Sequence, residues 1–152
     1  MKGVIIRELD VHLDSRGWLM ELFRKDELAR SNYPAMAYLS STKPGVARGP
    51  HEHKKQTDLF CFLGLSQFKI FLWDNRRKSL TFKKKFIAEC EKGRPTLVIV
   101  PPGVVHAYKN TGKSSGLVFN APNRLFKGVK RRQPVDEIRH EENPNSPFKL
   151  ND

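Results

Sequence analysis

Cysteine is scarce in this chain of 152 residues: there are two, Cys61 and Cys90, each isolated within an apolar run. Two lone thiols make no disulfide framework, and a chain of this length can bury a core without one, so both read as reduced core residues of a cytosolic protein. Long hydrophobic runs are missing too. No stretch approaches the roughly 20 apolar residues of a membrane span, and the opening MKGVIIRELD is too briefly apolar for a signal segment. A soluble, cytoplasmic protein without a membrane partner is expected. Acidic residues are the third shortage, with 16 Asp and Glu against 28 Lys and Arg and a net charge of +12.

An excess of positive charge suits polyanions in general, including phosphorylated metabolites. Here the basic residues fall in short clusters (Lys54-Lys55, Arg76-Arg77-Lys78, Lys83-Lys84-Lys85, Lys130-Arg131-Arg132) with no nucleic-acid motif around them. They read as solvated surface, and nucleic acid is not an expected partner. No repeat or low-complexity segment is visible. A single domain over residues 1–140 is expected, followed by a polar, poorly ordered tail over 141–152.

The stretches between turn signals are short and strand-like. Val4 to Leu13 alternates partially and predicts a first strand, followed by the turn Asp14-Ser15-Arg16-Gly17. Arg24 to Ser31 is the one helical piece expected in the first half, with Asp26 as its N-cap and Asn32-Tyr33-Pro34 as its stop. Further strands are expected over residues 35–41, 57–63, 67–73, 82–90, 96–100, 106–110 and 115–120. Short strands at this spacing favour a sandwich or barrel over βαβ units. Asp136-Glu137-Ile138 is expected as a last turn packed on the barrel.

Two segments carry the chemistry. In Gly45 to Gly64, His51 and His53 stand one residue apart, so strand alternation points both rings to one face. In Gly93 to Asn110, an apolar strand and a Pro-Pro-Gly turn lead to His106. Imidazoles from such distant strands meet only if the strands fold over one another, as in a small β-barrel with its chemistry inside. Gln56 and Tyr108 lie close to these histidines and are expected at the cavity. His12 and His140 belong to no constellation.

As a pattern, Gly45-x5-His51-x-His53-x4-Asp58-x5-Gly64 and Pro101-x-Gly103-x2-His106-x3-Asn110 resemble the two motifs of the cupin superfamily, with Asp58 where glutamate is usual. That resemblance implies an all-β, jelly-roll β-barrel with one or two short helices. The segments from Asp14 to Glu21, Ser40 to His51, Asp74 to Phe82 and Pro101 to His106 resemble, in order, those of the dTDP-4-dehydrorhamnose 3,5-epimerases. By this resemblance His51 matches the catalytic base and Arg48 the substrate-contacting arginine beside it. Arg16 and Glu21 match nucleotide-binding positions, shared across a homodimer. His53 is expected as a second catalytic residue and His106 as a substrate-binding one, and Asp136 would be the carboxylate orienting His51. The substrate would be a nucleoside-diphosphate 4-keto-6-deoxy sugar, and no cofactor is implied.

The residue types suit that reaction. A proton beside a ketone leaves only if a base is within reach and the enolate oxygen is stabilised; a neutral histidine suits the first task and cations the second. The chain departs from the epimerases in having Asp58 where they have a lysine, and Phe119-Asn120 near where their tyrosine acid falls. Arg48-Gly49 followed by His51-x-His53 also resembles the dTDP-sugar 3,4-ketoisomerases, which move a proton along one face of the sugar. Two further readings stay open: a metal-dependent cupin using His51, His53, His106 and Asp58, and a non-catalytic sugar-nucleotide binder.

Overall fold

The computed structural model describes residues 1–151, and nearly all of its regular structure is sheet. Twelve strands run β1 (Ile5–Glu8), β2 (Val11–Asp14), β3 (Gly17–Met20), β4 (Tyr38–Thr42), β5 (Ala47–Glu52), β6 (Asp58–Phe62), β7 (Phe68–Asp74), β8 (Lys85–Cys90), β9 (Thr96–Val100), β10 (Val104–Asn110), β11 (Gly116–Asn120) and β12 (Ile138–Arg139). Ten of them form two five-stranded sheets, ordered β1-β9-β6-β11-β4 and β12-β5-β10-β7-β8; β2 and β3 make a separate hairpin. Every pairing is antiparallel.

The sheets pack face to face. Phe60, Phe62, Val98, Val100 and Val118 of the first interdigitate with Phe68, Ile70, Leu72, Val104 and Tyr108 of the second. The outer faces are covered as well. Leu22, Phe23, Leu28 and Tyr33 lie over Leu59, Cys61, Leu97 and Ile99 of the first sheet, and Phe148 and Leu150 lie over Phe71, Trp73, Val105 and Ala107 of the second. Cover on both faces is why β6 (DLFCF) and β9 (TLVIV) read as unbroken apolar runs rather than alternating ones. Both cysteines are free and buried, and burial pushes the thiols of Cys61 and Cys90 up to about 12 and 11, which leaves them unreactive.

Three sequence expectations change. The expected helix from Arg24 to Ser31 is two single 3-10 turns, Lys25–Glu27 and Arg30–Asn32, and Asp26 caps nothing but pairs with Arg24 at 2.8 Å. A segment this short gains more by laying Leu28 on the first sheet than by completing a helix that is marginal at under about 12 residues. The single strand expected from Val4 to Leu13 breaks at buried Leu9, because β1 pairs with β9 whereas β2 turns back on β3. The strand expected from Phe82 starts at Lys85, since Lys83 adopts a φ of 64° and Lys84 N–H closes a turn on Thr81.

Residues 141–151, expected from composition to be a loose polar tail, lie across the second sheet. Phe148 meets the Trp73 ring at 5.7 Å and the His140 ring at 4.6 Å. Beneath this segment Glu52, on the outer face of β5, is buried and accepts from Asn75 at 2.8 Å and pairs with His140 Nε2 at 3.0 Å.

Candidate active site

One end of the space between the sheets is polar. The inward side of β5 carries His51, β10 pairs with it to set His106 directly across from His51, and the ring centroids of the two lie 4.4 Å apart. The chain reaches this pairing through Gly49, whose φ is 81° and where a Cβ would meet the His106 carbonyl oxygen at 2.6 Å. Only glycine tolerates both the left-handed backbone and that approach. His53 follows on the same side, 5.8 Å from His51 by ring centroid. Asp58 rises from β6 of the opposite sheet, 1% exposed, with Oδ2 at 3.1 Å from His53 Nε2 and 3.4 Å from His106 Nε2.

The three imidazoles are not equivalent. Burial, together with the neighbouring His106, pushes His51 down to about 2, so its ring is neutral throughout the physiological range. His53 is also penalised by burial, but the carboxylate beside its Nε2 outweighs this and raises it above the ordinary histidine range. Its Nδ1 bonds the main-chain oxygen of Asp136, which fixes the ring. Burial opposes the charge on Asp58 as well, yet His106 and His53 hold it below the usual carboxylate range. His53 and Asp58 therefore form a buried ion pair beside a neutral base. His106 bonds the Val104 carbonyl through Nδ1 at 3.1 Å.

The mouth also contains a buried polar atom, Asn120 Oδ1, with no hydrogen-bond partner among the described residues. Such atoms are rare in a folded interior and cost about 1–3 kcal/mol when left unmade. It marks a surface shaped for a polar ligand. Donor atoms of His51, His53 and His106 lie within 4.8 Å of one another, a spacing that also suits a divalent cation.

The structure sorts the other sequence candidates. The Gln56 amide sits between His53 Nε2 at 3.2 Å and Asp58 Oδ1 at 3.0 Å, inside the cluster. Arg48 reaches across to β4, donating to Thr42 Oγ1 at 3.1 Å and the Ser41 carbonyl at 2.9 Å. Tyr108 is part of the apolar floor, packed against Phe60, Phe62 and Phe68, with its hydroxyl 3.4 Å from Ser40. Arg16 and Glu21 belong to the hairpin and its exit: Arg16 bonds Asp14 at the exposed tip, and Glu21 pairs with Arg24.

Asp136 is displaced from the role expected of it. Its carboxylate accepts the main-chain N–H groups of Lys54, Lys55 and Gln56 at 2.9–3.0 Å and so folds the turn after His53. Its neighbour Glu137 points the other way and lies 4.0 Å from His51 Nδ1. Two groups carry no functional signal in the sequence. Glu137 stands one residue from a candidate, and Tyr38 on β4 has its hydroxyl bonded by Asn120 Nδ2 at 2.6 Å.

Two facing antiparallel sheets with a histidine-lined polar mouth define a jelly-roll protein of the cupin type. Residues 1–131 match the family model of dTDP-4-dehydrorhamnose 3,5-epimerase, and the chain belongs to that family of sugar-nucleotide epimerases. It is 33% identical over 112 residues to the spore coat polysaccharide biosynthesis protein SpsL of Bacillus subtilis, covering 74% of this chain and 73% of that one. It is 32% identical over 125 residues to a probable low-salt glycan biosynthesis epimerase, Agl13, of Haloferax volcanii, covering 81% and 79%. The fold matches that of a dTDP sugar isomerase from Desulfovibrio desulfuricans G20 with a TM-score of 0.81 at 22% identity, over 97% of this chain and 90% of that one. Among the described residues no helix is long and apolar enough to cross a membrane.

Proposed function

We propose that the protein inverts a carbon next to the ketone of a nucleoside-diphosphate 4-keto-6-deoxy sugar, with His51 as the base. The observation that carries this reading is the pairing of a neutral, buried His51 with the His53–Asp58 ion pair on the same polar mouth. His51 takes the proton, and the His53–Asp58 pair beside it supplies a fixed dipole at the place where the enolate forms. A proton arriving on His51 is stabilised by the enolate formed opposite it and by the Glu137 carboxylate at 4.0 Å. Arg48 steadies the sugar at the rim.

The reading includes a cytoplasmic homodimer. Leu13, Trp18 and Leu19 of the hairpin are more than half exposed, which supports a covering partner, and Arg16 and Glu21 would then serve the nucleotide site of the other copy. Proton NMR of dTDP-4-keto-6-deoxyglucose in deuterated water tests the chemistry. Exchange at C3 or C5 by the wild type, lost in His51→Ala, is the expected result; a wild type that exchanges neither proton overturns it. The histidine triad favours one second reading, a divalent cation held by His51, His53 and His106. Exchange that survives exhaustive chelation rules that reading out.

A further inference from the structure

Inversion needs a proton donor facing the base across the substrate. His51 stands on β5 of one sheet, so the donor belongs on the other. In that sheet β4 pairs with β11, and the register sets Tyr38 against Asn120. Asn120 Nδ2 donates to the Tyr38 hydroxyl oxygen at 2.6 Å, which leaves the tyrosine's own proton free to point elsewhere. Two positions along β4, Ser40 makes the parallel contact deeper in, to Tyr108 of the core. Alternation therefore fixes the face: Tyr38 and Ser40 both look inward, Ser40 over the apolar floor and Tyr38 at the level of the mouth.

Asn120 is 3% exposed, faces inward beside core Val118, and keeps an unpartnered Oδ1. Tyr38 itself is 48% exposed, so its ring borders the opening while its hydroxyl is held within. Resting on the epimerase reading above, we infer that the Tyr38 hydroxyl is the proton donor on the face opposite His51, with Asn120 as its positioning residue.

The steps balance without an oxidant or reductant. His51 takes the hydrogen as a proton while the C–H electrons form the enolate. The enolate carbon then takes the phenolic proton of Tyr38 from the other side, and the O–H electrons stay on the tyrosine oxygen. That oxygenate is met by the N–H of Asn120. Solvent returns a proton to Tyr38 and removes one from His51. Burial, followed by the Asp58 carboxylate, pushes the Tyr38 hydroxyl up to about 12, so it enters each cycle protonated; Glu137 acts on it in the same direction.

The test compares the wild type with Tyr38→Phe on dTDP-4-keto-6-deoxyglucose in deuterated water, following deuterium uptake and configuration at the exchanging carbon separately. The wild type is expected to incorporate deuterium with inversion. Tyr38→Phe is expected to keep exchange, which also shows that it folds and binds, while inversion falls about 100-fold or more. Inversion by Tyr38→Phe within a few-fold of wild type overturns the inference, as does parallel loss of exchange and inversion. Exchange without inversion in the wild type overturns it while sparing His51 as base. A wild type with no exchange at all overturns the epimerase reading itself.

Discussion

Lowering the pH from 7 to 5 should weaken the fold through His51 in particular. In the unfolded chain this ring has the ordinary histidine value of 6.5, whereas in the folded chain it lies at about 2. Between these values the unfolded chain binds a proton that the folded chain refuses, so stability falls as pH falls. Worked through the linkage relation, the loss is about 0.2 kcal/mol at pH 7 and about 2 kcal/mol at pH 5. For a chain of this length that difference corresponds to about 4–8 °C in Tm. His53 acts in the opposite sense: its folded value is raised, so its contribution is complete at low pH and lost as pH rises through that value. The two histidines must therefore be separated by subtraction. Urea unfolding of the wild type and of His51→Gln, with a chelator present, at pH 7, 6 and 5 does so. The wild type should lose about 2 kcal/mol more than the variant over that range, and parallel pH curves would refute the assignment of a neutral, proton-refusing His51.

Two other outcomes are expected. Asp136→Ala removes the acceptor of three main-chain N–H groups, which should cost about 2–3 kcal/mol in chemical denaturation and loosen the turn that carries Gln56, with a larger loss of kcat than of global stability. Trp18→Glu combined with Leu13→Glu places charge on the exposed hairpin face and should shift sedimentation from dimer to monomer with the far-UV spectrum unchanged; a dimer that persists would leave the hairpin outside the interface.

How far the sequence could be read depended on the distance over which each residue finds its partner. The His51-x-His53 spacing is a local rule of strand geometry, and the rings do share a face. The apolar runs at β6, β7 and β9 announced strands for the same reason. Choosing between Asp136 and Glu137 required a register: neighbours on an extended strand point to opposite sides, and nothing in the polar stretch after Pro122 sets which one looks at His51. Tyr38 was hidden more deeply. Its meaning comes from Asn120, 82 positions away, and no pattern along the chain links them. Asn120 drew attention as a residue unable to donate a phenolic proton, yet its amide holds the hydroxyl of the residue that can. The 3-10 turns before β4 resemble a helix in sequence because a few helix-forming residues look alike whether they continue or stop.

The chain's last strand carries a second consequence. β5 would be the outer strand of its sheet were it not for β12, which pairs Ile138 with Glu52 and Arg139 with His51, while His140 and Glu141 N–H both close on the Pro50 carbonyl. An outer strand with open N–H and C=O groups is a template for adding foreign strands. The segment that brings Glu137 to His51 and folds the turn with Asp136 is thus also the guard of that margin. Withdrawing that segment would take Glu137 from His51 and Asp136 from the turn, and would bare the β5 edge in the same event.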